Sequence, residues 1–504
     1  MMVITENIFN RSLFTILSNS FRSLFNLIAS IFLARMLGPE LFGLMSFVLA
    51  SFIALKSLID FGLSSAFYTF ISESNNIYRY LTTYAYILFF QLVIPLVLIF
   101  IFMPNSWFQI IWTDVETLQI FFGYLAIFFQ YYIWNFSLSL AESIRKTFLA
   151  QSIWLSISIT NLIALIILWL YDLLIINNVF LLIIFEFFIG ALLLFFLIKK
   201  QINFEFKKES QLIILNKFFD YSKPLILYSV IGFIAIFFDR WMLQFFAGSY
   251  EQAFYSISFQ ISAISLLATS SILKIFWKEI AESNSNQDIV YTKKLYENSC
   301  KALYLTACFI MGFIFFWVDE IILFFLGVEY LPGKITFLIL LFYPVHQCLG
   351  QIVSSFLYAT SETRILSYIN SLFLLLGMLL TFMLIGENAL LKVNLQMGSA
   401  GLAIKMVIIQ FLNVNILIFI LNKNYNWKYN QFYQISFVIF SLLAGLLSKE
   451  LINLLFQMPD MLFIRFFISL LIYLFIFVVA IYNLPSLFSI KVSELKFINN
   501  YYRK

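Results

Sequence analysis

Arg22 stands near the middle of an apolar stretch, residues 13–34, and spacings of three and four place Asn19, Asn26 and Ser30 on the same helical face. A guanidinium at the centre of a bilayer costs about 2.5–3.5 kcal/mol on insertion scales, so this face is expected to border a watery interior rather than lipid. Polar stripes recur further on. One runs Ser258, Ser262, Ser265, Thr269, another Tyr343, Gln347, Gln351, Ser354, Tyr358, each at helical spacing. Such faces need water or polar partners. Their chemistry is the binding and passage of something polar through a membrane.

The elements that must position these side chains are long and apolar. Hydrophobic residues make up 62% of the 504-residue chain and charged residues 11%, with a mean hydropathy of +0.95. A soluble domain carries roughly 25% charge, so the composition indicates an integral membrane protein. Apolar runs of about 20 residues recur without the alternation of barrel strands, which predicts an all-α fold. Fourteen spans are expected, at residues 13–34, 41–64, 80–103, 117–140, 148–170, 178–198, 224–246, 253–275, 299–318, 335–359, 365–386, 400–421, 431–456 and 463–484.

With both termini in the cytoplasm, the inner connections hold Arg145, Lys146, Lys199, Lys200, Lys207, Lys208, Lys217 and Lys223, while the outer ones carry Asp114, Glu116, Asp172, Glu251, Asp319, Glu329 and Asp460. The positive-inside bias therefore selects an N-in, C-in orientation. It also accounts for the net charge of +5 without nucleic acid. Cys300, Cys308 and Cys348 lack metal-ligand spacing, so neither a zinc site nor a disulfide framework is expected. The first span is too long and polar for a cleavable leader and is expected to stay as a helix.

A basic connection, residues 199–217, divides the first twelve spans into two sixes, and a short internal repeat supports the division. LGPELFGLMS at residues 37–46 lies over AGSYEQAFYS at residues 247–256, matching Gly38 to Gly248 and Ser46 to Ser256. Six is even, so the halves would share one membrane orientation about an axis along its normal, with a substrate site between them. The expected organisation is an N-terminal six-helix lobe (1–198), a basic linker (199–223), a C-terminal six-helix lobe (224–421), and two accessory helices with a cytoplasmic tail (422–504). Residues 288–301 read as a charged, solvated surface helix. The sixth, thirteenth and fourteenth spans are apolar almost all round and are expected to touch lipid tails.

IFLARMLGPELFGLMSFVLASFIALKSLIDFGLSSAFYTFI, residues 31–71, resembles the opening of Wzx-type polysaccharide flippases, and FFDRWMLQFFAGSYEQAFYSISFQIS, residues 237–262, resembles its second-half counterpart. These transporters share a superfamily with multidrug and toxin extruders and lipid II flippases. The resemblance implies two six-helix lobes around a cavity in the bacterial inner membrane. It further implies movement of an undecaprenyl-diphosphate-linked oligosaccharide from the cytoplasmic to the outer leaflet, for O-antigen, capsule or exopolysaccharide assembly. A glycan polymerase and a chain-length regulator would be partners in such a pathway.

On that reading a diphosphate needs cations, and arginine's fork can engage phosphate oxygens bidentately. The candidates are Arg22, Lys56, Arg240, Lys274 and Lys405, with Asn19, Asn26, Gln347 and Gln351 for the sugar. Each has a plainer role available. Lys56 and Asp60, four apart, can neutralise each other. Arg240 can pair with Asp239 or reach the headgroups, Lys274 can snorkel, and Lys405, about five residues into its span, can sit at the interface. No cofactor is implied. A coupling ion, proton or sodium, would use His346 or Asp60. His346, the sole histidine, has packing beside a Pro344 kink as its alternative. Glu142 and Glu186, placed near span ends, are weaker candidates for coupling.

Two rival classes remain. A multidrug cation antiporter should present acids to its substrate, whereas the mid-span charges here lean basic. A membrane glycan polymerase or ligase should have a sizeable outer loop, yet the longest outer connections run to only about 15 residues. No nucleophile–base pair or phosphate loop stands in a credible context.

Overall fold

The computed structural model describes residues 8–73, 77–199, 211–266, 288–360, 362–387, 395–427, 432–455 and 462–483, together with 273, 276, 279, 280, 282 and 283. Among them all regular elements are helical. α1 (Ile8–Asp60) holds the first two spans in one element. Gly38 breaks it with φ 75° and ψ 169°, and Pro39 opens the second helix. Glycine tolerates that positive φ, and proline suits a first turn because no hydrogen bond is asked of its nitrogen. α2 (Leu63–Glu73), α3 (Ile77–Val97) and α4 (Asn105–Ile111) follow. Next come α5 (Thr117–Ile127), α6 (Trp134–Ser143), α7 (Thr147–Leu170), α8 (Ile176–Ile198) and α9 (Gln211–Ser222). α10 (Ile226–Ser262) repeats the elbow at Gly248, with φ 82° and ψ −178°. The two glycines aligned by the sequence repeat thus share one backbone conformation. The remaining long helices are α11 (Ile289–Phe316), α12 (Tyr343–Ala359), α13 (Thr363–Ile385), α14 (Gly398–Asn424), α15 (Phe432–Leu455) and α16 (Leu462–Asn483).

Among the described residues, 11 helical stretches are long and apolar enough to cross a membrane. Two of these contain an elbow and hold two spans each. The predicted span 117–140 runs through α5, a π-helical turn (Phe128–Ile133) and α6. All fourteen predicted spans therefore have helical counterparts, the eighth as far as Leu266. Two details differ from expectation. Residues 288–301 do not form a separate surface helix; they begin α11, which runs on to Phe316, with Asp288 Oδ1 accepting the Tyr291 N–H at 3.0 Å. The tenth span breaks at Leu341 and Phe342, so Pro344 lies in the first turn of α12 instead of kinking a continuous helix.

Contacts divide the chain into two compact units, Met1–Ile257 with Leu374–Leu402, and Ser258–Phe373 with Ala403–Lys504. In the first unit the opening half of α1 runs parallel to α7, through Phe14–Phe148 (4.6 Å between centroids) and Phe32–Trp169 (6.1 Å). An aromatic stack of Phe67, Tyr84, Phe136 and Phe218, with neighbouring centroids 4.3–5.9 Å apart, fastens α2, α3, α6 and α9 together. The elbows touch as well. A Cβ on Gly43 would lie 1.8 Å from the Ser249 carbonyl oxygen, so only glycine permits this approach.

In the second unit α11 and α15 meet through facing glycines. A Cβ on Gly312 would lie 2.5 Å from the Ser441 carbonyl oxygen, and one on Gly445 2.1 Å from that of Gly312. Lipid gives helices no hydrophobic reason to associate, so close backbone contact of this kind must hold them. α16 adds Tyr473, whose hydroxyl donates to the Phe309 carbonyl at 2.9 Å, and Lys449 of α15 pairs with Glu320 at 2.7 Å. The outer faces of α15 and α16 expose Leu443, Leu454, Leu471 and Phe475, apolar side chains suited to lipid tails.

Candidate functional site

The first unit gathers its polar side chains along α7, where Thr147, Gln151, Trp154, Ser158 and Asn161 follow one another at helical spacing. α1 reads that stripe rung by rung. Arg11 donates to the Thr147 hydroxyl at 2.7 Å, and Ser18 donates to the Gln151 carbonyl at 3.5 Å. On the next rung the Arg22 guanidinium lies over the Trp154 indole, its carbon 3.3 Å from the ring centroid. That stacking fixes the plane of the fork and leaves its edge N–H groups to point elsewhere. Arg22 Nη1 and Asn19 Oδ1 are buried atoms with no hydrogen-bond partner, and no carboxylate pairs with Arg22 among the described residues. Asn26, on the same face, is exposed. The arrangement is an oriented cation with spare donors, suited to an anionic group.

Lys56 and Asp60 do not form the ion pair that their spacing allows; among the described residues none joins them. The Asp60 carboxylate instead accepts the Ser64 N–H at 3.1 Å and the Ser64 hydroxyl at 2.7 Å, which caps α2. Lys56 Nζ rests 5.3 Å from the Tyr131 ring centroid, while the Tyr132 hydroxyl reaches the Lys56 carbonyl at 3.5 Å. Both tyrosines belong to the π-helical turn between α5 and α6, whose extra residue per turn presents the pair to α1. Lys56 is thus a second cation held by an aromatic face.

Arg240 binds across the Gly248 elbow, donating from Nη1 to Gln252 Oε1 (3.2 Å) and Ser256 Oγ (2.9 Å), with its guanidinium 4.6 Å over Tyr255. Its neighbour Asp239 accepts from the Thr381 hydroxyl at 2.6 Å. Arg240 therefore secures the elbow with one of its nitrogens. Glu251, expected in an outer connection, accepts the Ser399 N–H at 2.7 Å and caps the start of α14.

Glu186 lies at the middle of α8, not near a span end, and its carboxylate accepts from Asn161 Nδ2 at 2.8 Å. Glu142 accepts from Gln151 Nε2 at 3.4 Å beside the Arg22 ladder. The α7 stripe was the signal for this network. Its period of three to four polar residues in the fifth span matches those singled out in the eighth and tenth.

In the second unit the α12 stripe Tyr343, Gln347, Gln351, Ser354, Tyr358 is its partly or fully exposed face, while the opposite face is buried. His346 lies on that buried side, its ring edge-on to Phe411 (4.9 Å) and Tyr304 (5.7 Å), with Nε2 3.4 Å from the Tyr304 hydroxyl. Lys405 is buried, at 6% exposure. Ser258, Ser262 and Ser265 are buried. Lys274 and Thr269 lie outside the described residues.

The fold is shared with known membrane transporters. A lipid II flippase, MurJ, in an inward closed conformation superimposes with a TM-score of 0.69 at 18% identity, over 94% of this chain and 99% of that one. An inward-facing multidrug resistance MATE family transporter of the MOP superfamily gives 0.61 at 15% identity, over 80% and 95%. A MOP superfamily transporter from Pyrococcus furiosus, described as having a binding pocket of reversed polarity, gives 0.55 at 14%, over 82% and 94%. No curated protein sequence matches the chain. Residues 8–277 match the family described as Polysaccharide biosynthesis protein, and that span, with the flippase-type helical fold, places this membrane protein in that family.

Proposed function

We propose that this protein is a flippase that carries undecaprenyl-diphosphate-linked oligosaccharide units from the cytoplasmic to the outer leaflet of a bacterial inner membrane, by alternating access. The observation that carries the reading is Arg22, stacked over Trp154 with a buried N–H unpartnered and, among the described residues, no carboxylate paired with it. A protein that moved organic cations would have little use for such a group. Lys56, held over Tyr131, is a second cation for the diphosphate, and Asn19, Asn26, Gln347 and Gln351 are the hydrogen-bonding groups for sugar. Lys405, Arg240 and Lys274 complete the set of basic candidates. Transport outward follows the membrane potential, which favours the exit of each negative charge by about 2.3 kcal/mol per 100 mV. If transport is ion-coupled, Asp60, His346 and the mid-helix Glu186 are the groups to carry it. With the N-terminus inside, the glycine elbows lie at the outer face and the α9 end at the inner one. A glycan polymerase that consumes the translocated units, and a chain-length regulator, would be its partners.

Proteoliposomes holding a fluorescent lipid-linked oligosaccharide, with an imposed potential and a quencher outside, test the reading. Potential-dependent translocation is expected, and an organic cation in the same vesicles should not move. Cation efflux without glycolipid movement would assign the protein to the drug extruders instead.

A further inference from the structure

We propose that a groove between α3 and α9 in the first unit holds the polyprenyl tail of the transported lipid; the inference rests on the transport reading above. The cavity measures about 640 Å³, and its walls are Phe61, Tyr86, Phe90, Ile94, Leu215 and Phe219. Tyr86, Phe90 and Ile94 are 59%, 57% and 51% exposed along a membrane span, so whatever enters comes from the bilayer. Its far wall is built, not incidental. Ile214 and Phe218 of α9 are fully buried, with Phe218 against Phe70, Tyr80 and Tyr84. Gly62, at φ +91°, lets the chain turn so closely beneath Leu225 that an added Cβ would lie 2.5 Å from it.

The groove is tied to a cation, which distinguishes a substrate's tail from a bulk phospholipid's. Ile59 lines it, and the Ile59 carbonyl accepts from Gln91 Nε2 at 3.2 Å, another lining side chain. Lys56 lies three residues before Ile59 on the same helix, so a diphosphate at Lys56 places its lipid chain at the groove mouth. Lys217 of α9 and Lys223, directly after it, are exposed and would suit an ordinary anionic phospholipid at the membrane surface. At about 30 Å³ per water-sized group, the cavity takes roughly twenty carbons, the part of a long isoprenoid nearest its headgroup. The rest leaves through the open side into lipid. A tail held here stays against the first unit while the headgroup crosses.

Photolabelling tests this. Purified protein in liposomes is given trace diazirine-bearing undecaprenyl diphosphate, or diazirine-bearing phosphatidylglycerol, and labelled peptides are mapped. The isoprenoid should label residues 83–95 and 211–219, and unlabelled undecaprenyl phosphate, but not excess phosphatidylglycerol, should compete. Leu215→Trp, which fills the cavity, should weaken groove labelling by about tenfold, the scale of losing one to two kcal/mol of apolar contact. Tyr86→Ala on the exposed rim, a change that leaves folding intact, should weaken it as well. Equal labelling or competition by phosphatidylglycerol overturns the proposal, as does isoprenoid labelling confined to other helices, or groove labelling unchanged in both variants. Groove labelling in vesicles that fail to translocate glycolipid would support the groove and overturn the transport reading. Full translocation with no groove labelling would do the reverse.

Discussion

Removing the Arg22 fork tests the central assignment most directly. In Arg22→Ala the protein loses one stacked guanidinium over Trp154 and the buried Nη1 donor. The stacking alone is worth about 0.5–2 kcal/mol to folding, and the truncation also relieves the cost of burying a charge, so abundance and melting temperature should change little. Binding of a diphosphate loses one or two charge-assisted hydrogen bonds, each about 1.5–3 kcal/mol. Losing even one such bond, about 1.5–3 kcal/mol, corresponds to roughly 10- to 150-fold slower translocation under subsaturating substrate, and losing two to more. Arg22→Lys keeps the charge but not the planar fork and should recover only part of the rate. Trp154→Leu keeps Arg22 and frees its orientation; about tenfold slower transport is expected if the indole's role is to aim the fork. The assay is initial glycolipid translocation in proteoliposomes matched for protein content. Wild-type rates in Arg22→Ala at equal abundance would refute the reasoning.

Three further outcomes follow from packing and polar pairing. Gly43→Val places a side chain where the Ser249 carbonyl stands, so it should force the elbows apart and raise the labelling of cysteines placed nearby by an external, membrane-impermeant thiol reagent; unchanged labelling would contradict the close approach. Gly312→Leu should separate α11 from α15 and destabilise the protein by about 1–3 kcal/mol or more, seen as a lower melting temperature in detergent. Asn161→Leu strips Glu186 of the amide that donates to its carboxylate and should cost about 1–3 kcal/mol, with Glu186→Leu in the same background restoring part of it, measured by a double-mutant cycle of thermal melts.

The backbone was largely legible because hydrophobic length and glycine placement are local signals. The repeat that aligned Gly38 with Gly248 found the two residues with positive φ at the elbows, since a one-residue turn leaves so few residue types able to make it. Side-chain partnerships were less legible because they depend on which helices become neighbours. Arg22 was recognisable as a charge that needed a reason, but its indole lies in the fifth span, 132 positions along the chain. Spacing alone suggested Lys56–Asp60; the turn after α1 brought Ser64 to the carboxylate instead. Glu186 was placed near a span end, although both the expected span, residues 178–198, and α8 put it well inside the helix. A π-helical turn has no period that a helical wheel detects, so Tyr131 and Tyr132 went unnoticed.

The two elbows have a mechanical consequence. Gly38 is the whole connection between two spans, as is Gly248, so neither junction has slack chain to absorb a rotation. Each pair of spans is a bent lever: tilting one arm transmits torque to the other at once. Lengthening either junction by a few flexible residues would uncouple the arms without touching any substrate contact, leaving a protein that binds its cargo but cannot convert binding into movement.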